Sequence, residues 1–447
     1  MAWTLTACTE TSLFLNEVTP DRSFRIWWNE GYFPEETAAV RRFVEQWAKT
    51  SKNEVKLTFF SEKDLAREIT NAIARNNPPD ILYSYSADLN LIPRLAWEGK
   101  LADVSDVVSP VAQQFTKTAL SGVTYTDNTS KKKAYFAVPI SQSGIYLHYW
   151  RNLLQQTGVN ERTIPQDWEG FWGWWRQVHR ALSQRKGAAQ SDNLYTIGLP
   201  VSPSASDTFY AFELFLEAYN VEILDSQGQL RISDPQVRNG ILRAVTEYTK
   251  FYREKLVPPS ATEWGDPDNN ERFLNSEMVM TANPTLSIPG SQRSDEQRYF
   301  DQMVTIPWPR KPDGSPLRNL VATKQACLFA NSPNQKIAKD FFRYLLQPEN
   351  LDVFVKGSRG RFAPVMPKLL GDPFWRNPRD THISNSVKTL ENTRPLYQVL
   401  NPAYTEVQAR NVWGSVLQQV ALGKLTPEAA TDRAIAEIQV IFENWQS

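Results

Sequence analysis

Between Ser23 and Tyr83 short apolar runs alternate with amphipathic stretches, and this alternation limits the fold more than any other feature of the chain. Phe24-Arg25-Ile26-Trp27-Trp28 reads as a strand. Val40, Phe43, Val44 and Trp47 then recur at the i, i+3, i+4, i+7 spacing of one helix face. Glu54-Val55-Lys56-Leu57-Thr58-Phe59 is a second strand, and Leu65, Ile69, Ala72 and Ile73 mark the face of a second helix. Asn76-Asn77-Pro78-Pro79 breaks that helix before a third strand, Asp80-Ile81-Leu82-Tyr83. Strand, helix, strand, helix, strand implies an α/β fold whose parallel sheet is covered on both faces. Ligands of such sheets sit beyond the carboxyl ends of the strands, so Glu30 to Glu36 and Ser84 to Asp88 fall at one rim.

The pattern continues. Tyr135 to Pro139 and Gly144 to Tyr149 look like two strands separated by Ile140-Ser141-Gln142-Ser143. The helix after Pro165 carries Trp168, Phe171, Trp172, Trp175 and Val178 on one stripe, which reads as core. Tyr195 to Leu199 is another strand. Asp234-Pro235 opens a helix as N-cap and first-turn proline, and Thr426-Pro427-Glu428 opens the last one. At 447 residues the chain has room for two lobes or more.

Lys plus Arg and Asp plus Glu are equal at 49 each, which speaks against a nucleic-acid binder. Cys8 and Cys327 are too few for a disulfide framework, and three scattered histidines do not suggest a metal centre. No apolar run reaches the ~18 to 20 residues of a membrane span. Leu5-Thr6-Ala7-Cys8 has the form of a bacterial lipobox, preceded by only Met1-Ala2-Trp3-Thr4 and followed by a polar, tether-like segment.

Several segments occur in a family-like order. They are Pro79-Asp80-Ile81-Leu82, Glu98-Gly99-Lys100-Leu101, Lys133-Ala134-Tyr135-Phe136-Ala137-Val138-Pro139 and Tyr149-Trp150-Arg151-Asn152-Leu153-Leu154, then Pro165-Gln166-Asp167-Trp168, Asn275-Ser276-Glu277-Met278-Val279-Met280 and Ala338-Lys339-Asp340-Phe341-Phe342-Arg343-Tyr344-Leu345. In these the chain resembles the carbohydrate-binding family of solute-binding proteins that serve bacterial ABC importers. The resemblance implies a two-lobed periplasmic-binding-protein fold, with three hinge crossings and a cleft that closes on ligand. Carried onto this chain, residues 1–21 form the lipobox and tether, 22–141 plus 327–378 form lobe one, and 145–322 plus 388–447 form lobe two. It also implies a monomeric protein without cofactor or metal, located in the periplasm, anchored through lipidated Cys8 and partnered by permease subunits.

A neutral sugar presents hydroxyls that both donate and accept, plus apolar C–H faces, so its site needs carboxylates, amides and aromatic plates. The first rim offers Glu30, Tyr32, Glu35 and Glu36, the last two equally suited to the first turn of a helix. Tyr83 and Tyr85 share a face at the end of the third strand, with Ser86 and Asp88 following, and Tyr85 stands where relatives place a ligand-binding Asp. Gln142 and Ser143 fall in the implied hinge strand. Asp207 is either a ligand carboxylate or an N-cap. Trp264, in the polar loop Glu263-Trp264-Gly265-Asp266, is a stacking candidate. Asn283 and Thr285 follow a strand, where relatives have an aromatic, and Lys324-Gln325 replaces a Gly-Gly pair of relatives. Arg361 lies near the implied cleft mouth, to bridge sugar hydroxyls or pair with acids. The alternative is a glycosidase using Glu30 and Asp207, which would need carboxyls about 5–5.5 or 6.5–9.5 Å apart. No nucleophile elbow, phosphate loop or His-Glu-x-x-His is present. Zero net charge favours a neutral ligand. The overall likeness points to glucosylglycerol, trehalose or sucrose, with a longer malto-oligosaccharide also open.

Overall fold

The computed structural model describes residues 23–185 and 194–446, so Cys8 and the 1–21 tether lie outside the described residues. The first three strands form as their periodicity implies: β1 (Phe24–Asn29), β2 (Val55–Phe60) and β3 (Ile81–Tyr83), with β1 parallel to both neighbours. The helices Pro34–Ser51 and Glu62–Ala74 make the crossovers. Proline at the start of the first loses no useful N–H, and Ser61 caps the second by accepting from the Asp64 N–H. Each buries its expected face, Val40, Phe43, Val44 and Trp47 in one and Leu65, Ile69 and Ala72 in the other. At ~1.5–3 kcal/mol per buried large apolar side chain, these faces hold the helices to the sheet.

Residues 124–143 supply β4 (Thr124–Asp127) and β5 (Lys132–Tyr135), which pair as a hairpin, and β6 (Ala137–Ser143). The expected break at Ile140 to Ser143 is therefore corrected: these residues are strand. Ser141, Gln142 and Ser143 pair with Lys324, Thr323 and Ala322 of a distant strand, β11 (Asn319–Leu328), a partner that no local pattern reveals. A second sheet runs in the order β10-β7-β9-β8, built from β7 (Tyr146–Trp150), β8 (Tyr195–Gly198), β9 (Met278–Asn283) and β10 (Met303–Ile306). β11 (Asn319–Leu328) returns to the first sheet, antiparallel to β3 and β6, and takes β12 (Thr393–Pro395) in parallel at its other end.

Each sheet has its own core. Phe24, Ile26, Trp28, Phe341 and Phe354 pack around the first, where Trp28 stacks on Tyr83 at 4.2 Å. The tryptophan stripe of the helix Trp168–Arg185 packs on the second; Trp172 is fully buried, 4.7 Å from Phe251 and 5.4 Å from Phe215. Asp234 caps the helix Pro235–Arg253 through the Gln236 N–H at 2.8 Å, as its Asp-Pro start implies. The result is two α/β lobes, linked where β6 passes into β7 at Gly144–Ile145, along β11, and through the segment that carries β12. Among the described residues no helix is long and apolar enough to cross a membrane.

Candidate ligand site between the lobes

A cavity of about 390 Å³ lies where the lobes meet, at the lower end of the ~300–1,000 Å³ range of small-molecule sites. Lobe one contributes Tyr85, Ser86, Asn90 and Arg361; the linking strands contribute Ser143 and Lys324; lobe two contributes Ser206, Tyr210, Asp266, Thr285 and Gln408. Tyr85 stands just past the carboxyl end of β3, where an open α/β sheet presents its ligand groups.

On the lobe-one side the tyrosine is held from three directions. Its N–H donates to Asn29 Oδ1 at 2.6 Å, and its one hydroxyl proton goes to Glu36 Oε1 at 2.8 Å, with the Glu30 carbonyl a longer, competing acceptor at 3.2 Å. Glu36 is 1% exposed; burial raises its carboxyl above the ordinary value, against the pull of Arg361 at 3.8 Å. The Arg361 guanidinium sits over the rings of Tyr85, Tyr32 and Phe362 at 4.4, 4.9 and 4.7 Å, an aromatic cage that fixes its plane beside the cavity. Lys324 Nζ donates to the Tyr85 carbonyl at 2.7 Å and to both oxygens of buried Asp88 at 3.1 and 3.2 Å. Burial pushes Asp88 up to about 6, with Lys324 opposing. The β6–β11 pairing shifts register between Lys324 and Gln325, and such a bulge re-aims the side chains beside it.

From lobe two comes the first turn of the helix Ser206–Ala218. The Ser206 N–H donates to Asp266 Oδ1. Asp207 accepts from Asn269 Nδ2 at 2.7 Å; burial pushes its carboxyl up to about 7, with Asn269 opposing and Asp266 adding. The N-cap position belongs to Ala205, so the capping alternative for Asp207 falls away. The Tyr210 hydroxyl accepts from Gln408 Nε2 at 3.0 Å. Burial, then the charges of Asp88, Asp207 and Asp266, raise this phenol far above its ordinary value.

Of the residues singled out from sequence, Tyr85, Ser86, Ser143, Thr285 and Arg361 line this cavity, with Asp88 directly behind Lys324. Others sit elsewhere, each for a visible reason. Tyr83 is fully buried against Trp28, one layer beneath Tyr85. Gln142 spends its backbone on Ala363 and its amide on the Pro364 carbonyl at 2.8 Å. Trp264 turns into the lobe-two core, 2% exposed, and donates to Ser260 Oγ, so its loop presents Asp266 instead. Asn283 folds back to donate to the Thr285 carbonyl at 2.7 Å. Glu30 is exposed and outside the cavity, Glu35 pairs with Arg359 on the surface, and Tyr32 stands half-exposed behind Arg361. With Glu30 outside, the cavity holds no Glu30–Asp207 pair of the kind glycosidase chemistry needs.

Sequence reading missed Asn90 and Gln408 because neither carries a local signal; both arrive through the packing of the helix Ala87–Asn90 on the helix Tyr404–Ala409. The histidines are scattered along the sequence, yet His148 and His382 both meet the Thr305 hydroxyl through Nδ1. Burial pushes them down to about 3 and about 4, so they are neutral imidazoles in a packed interior. Among the described residues no group of three or more His, Cys, Asp or Glu side chains is placed to hold a metal.

The profile of the bacterial extracellular solute-binding protein family matches residues 38–381, and the chain belongs to that family, a family of binding proteins rather than enzymes. No curated protein sequence matches it. Among solved structures, the ABC transporter solute-binding protein of Thermotoga lettingae TMO bound with α-D-tagatose is similar at a TM-score of 0.74 and 17% identity, over 94% of this chain and 99% of that one. The maltose-bound MalE3 of T. maritima gives 0.71 and 18%, over 93% and 99%. The cyclic α-maltosyl-1,6-maltose binding protein of Arthrobacter globiformis gives 0.74 and 15%, over 94% and 99%. At these identities the likeness establishes the two-lobed fold.

Proposed function

We propose that this protein captures a small neutral sugar or glycoside outside the cell membrane, by closing its lobes over the cavity, and hands it unchanged to the permease of an ABC importer. One observation carries the reading: a cavity of about 390 Å³ whose polar walls come from both lobes and mix amide, hydroxyl, carboxylate and cationic groups. Such a wall answers hydroxyls that donate and accept at once. Its volume suits one or two sugar rings, which favours the trehalose, sucrose or glucosylglycerol class over a long malto-oligosaccharide. The tagatose and maltose carried by the similar structures support the sugar class. In this reading Tyr85, Ser86, Ser143, Thr285, Arg361, Lys324, Tyr210 and Gln408 make the contacts. Residues 22–141 plus 327–378 move against 145–322 plus 388–447, and lipidated Cys8 tethers a monomer in the periplasm.

The test is a thermal-shift screen over neutral mono- and disaccharides, sugar acids and sugar phosphates. A ligand at 100 times its Kd adds ~2.7 kcal/mol to the folded state, a shift well within reach of the method. The expected hit is a small neutral glycoside, recovered intact after incubation. Stabilisation by charged compounds alone, or the appearance of hydrolysis products, overturns the reading.

A further inference from the structure

A second cavity, of about 310 Å³, also opens between the lobes. Trp97, Asn128 and Lys131 line it from lobe one, and Gln229, Asn401 and Trp445 from lobe two. It is separate from the first. The helix Ala87–Asn90 packs on the helix Tyr404–Ala409 between them, with Leu89 buried among side chains of the lobe-two core. Asn90 and Gln408 line the first cavity, whereas Trp97, at the end of the helix Ile92–Trp97, and Ala403 line the second.

The lining divides into groups already spent and groups left over. Asn401 is spent: its Nδ2 donates to the Gly228 carbonyl and its Oδ1 accepts from the Ala403 N–H, both at 3.0 Å, which holds the loop that carries Gln229. Lys131 Nζ donates to Asn128 Oδ1 at 2.7 Å, and Trp445 Nε1 donates to Glu406 at 3.0 Å. Left over are Asn128 Nδ2, the Gln229 side-chain amide and Trp97 Nε1, none of which has a hydrogen-bond partner among the described residues. Both indoles are half-buried, so each keeps part of its surface free. No carboxylate lines the cavity, and one lysine already committed to an amide oxygen does not make an anion site.

We propose that this second cavity binds a neutral sugar ring. Unspent amides would take the hydroxyls and the two indoles the apolar C–H face. Because its walls belong to both lobes, a ligand there biases the opening equilibrium by its difference in affinity for the two arrangements. The site adds to the one proposed above and does not depend on which sugar that one takes.

The experiment uses full-length protein labelled with 5-fluorotryptophan and titrated with methyl α-glucoside and with maltose, read by fluorine NMR, with W97F and W445F assigning the two signals. Three backgrounds are compared: wild type, Lys324→Met to weaken the first cavity, and Gln229→Leu on an exposed turn. The expected result is that the Trp97 and Trp445 signals still move in Lys324→Met, while Gln229→Leu weakens that transition roughly fivefold, as loss of one hydrogen bond would. Should Lys324→Met fail to fold, wild type decides through two separate transitions, only one of which Gln229→Leu displaces. Signals that stay fixed with both sugars, or that move only in step with filling of the first cavity, overturn the proposal, since closure alone accounts for the latter.

Discussion

Asp207 shows how far one residue's surroundings reset its chemistry. An aspartate in an unfolded chain titrates near ~3.9, whereas burial with a single amide donor pushes this one up to about 7. Between those values the native state holds a proton that the unfolded state has lost, so its contribution to stability falls as pH rises from ~4 to about 7 and stays low above that. Asp207→Asn, neutral at every pH, is therefore expected to be more stable than wild type at pH ~8, by about 2–4 kcal/mol, and indistinguishable from it near pH ~4. Denaturant melts at the two pH values check this; equal midpoints at the higher pH would refute it. Tyr210 carries the matching test of the cavity. Tyr210→Phe leaves a sugar hydroxyl and the Gln408 amide short of a partner, which should weaken ligand binding by about 1–3 kcal/mol, or roughly 5- to 150-fold, with the fold intact. An unchanged calorimetric affinity removes Tyr210 from the contact set.

Elements are positioned here by buried charge as well as by apolar packing. The helix Ser206–Ala218 that presents Ser206 and Tyr210 to the cavity carries Glu213 and Glu217 on its later turns. Glu217 is fully buried and takes Arg318 Nε and Nη2 at 2.8 and 3.0 Å, Arg394 Nε at 3.0 Å and Lys311. Burial works against its charge, but these cations outweigh it and hold the carboxyl below its ordinary value. Arg394, on β12, also reaches Glu213 Oε2 at 3.2 Å, so it pins the linking strand to the helix. Removing one partner of such a network strands buried charge, and Arg394→Met should cost about 3–5 kcal/mol in urea unfolding. Arg394→Lys should recover only part of this, because an ammonium lacks the fork that serves two carboxylates. A loss below ~1 kcal/mol for the methionine variant would place the network's worth elsewhere. The same scale explains the misread strand. Ser141-Gln142-Ser143 looks like a polar break until β11, far along the chain, supplies its strand partners.

For the whole molecule, closure is the testable consequence of having cavity walls on two lobes. Adding the sugar found in the thermal screen should reduce the radius of gyration in solution scattering, as hinge closure brings the lobes together. An unchanged curve at saturation would favour a rigid site. How much of this was legible beforehand follows from the range of the forces involved. The β1–helix–β2–helix–β3 unit, the tryptophan stripe as core and the Asp234-Pro235 helix start were readable, because periodicity and capping act within a few residues. So was the placing of Tyr85 and Ser86 at the rim, since an open α/β sheet binds past its strand ends. Tertiary structure alone decided that Trp264 turns inward, that Tyr83 lies beneath Tyr85, and that Lys324, Asp88, Tyr210 and Gln408 converge from both lobes. Whether a side chain meets solvent, core or cavity depends on what packs over it, and for these residues the covering partner lies too far along the chain for any local pattern to specify.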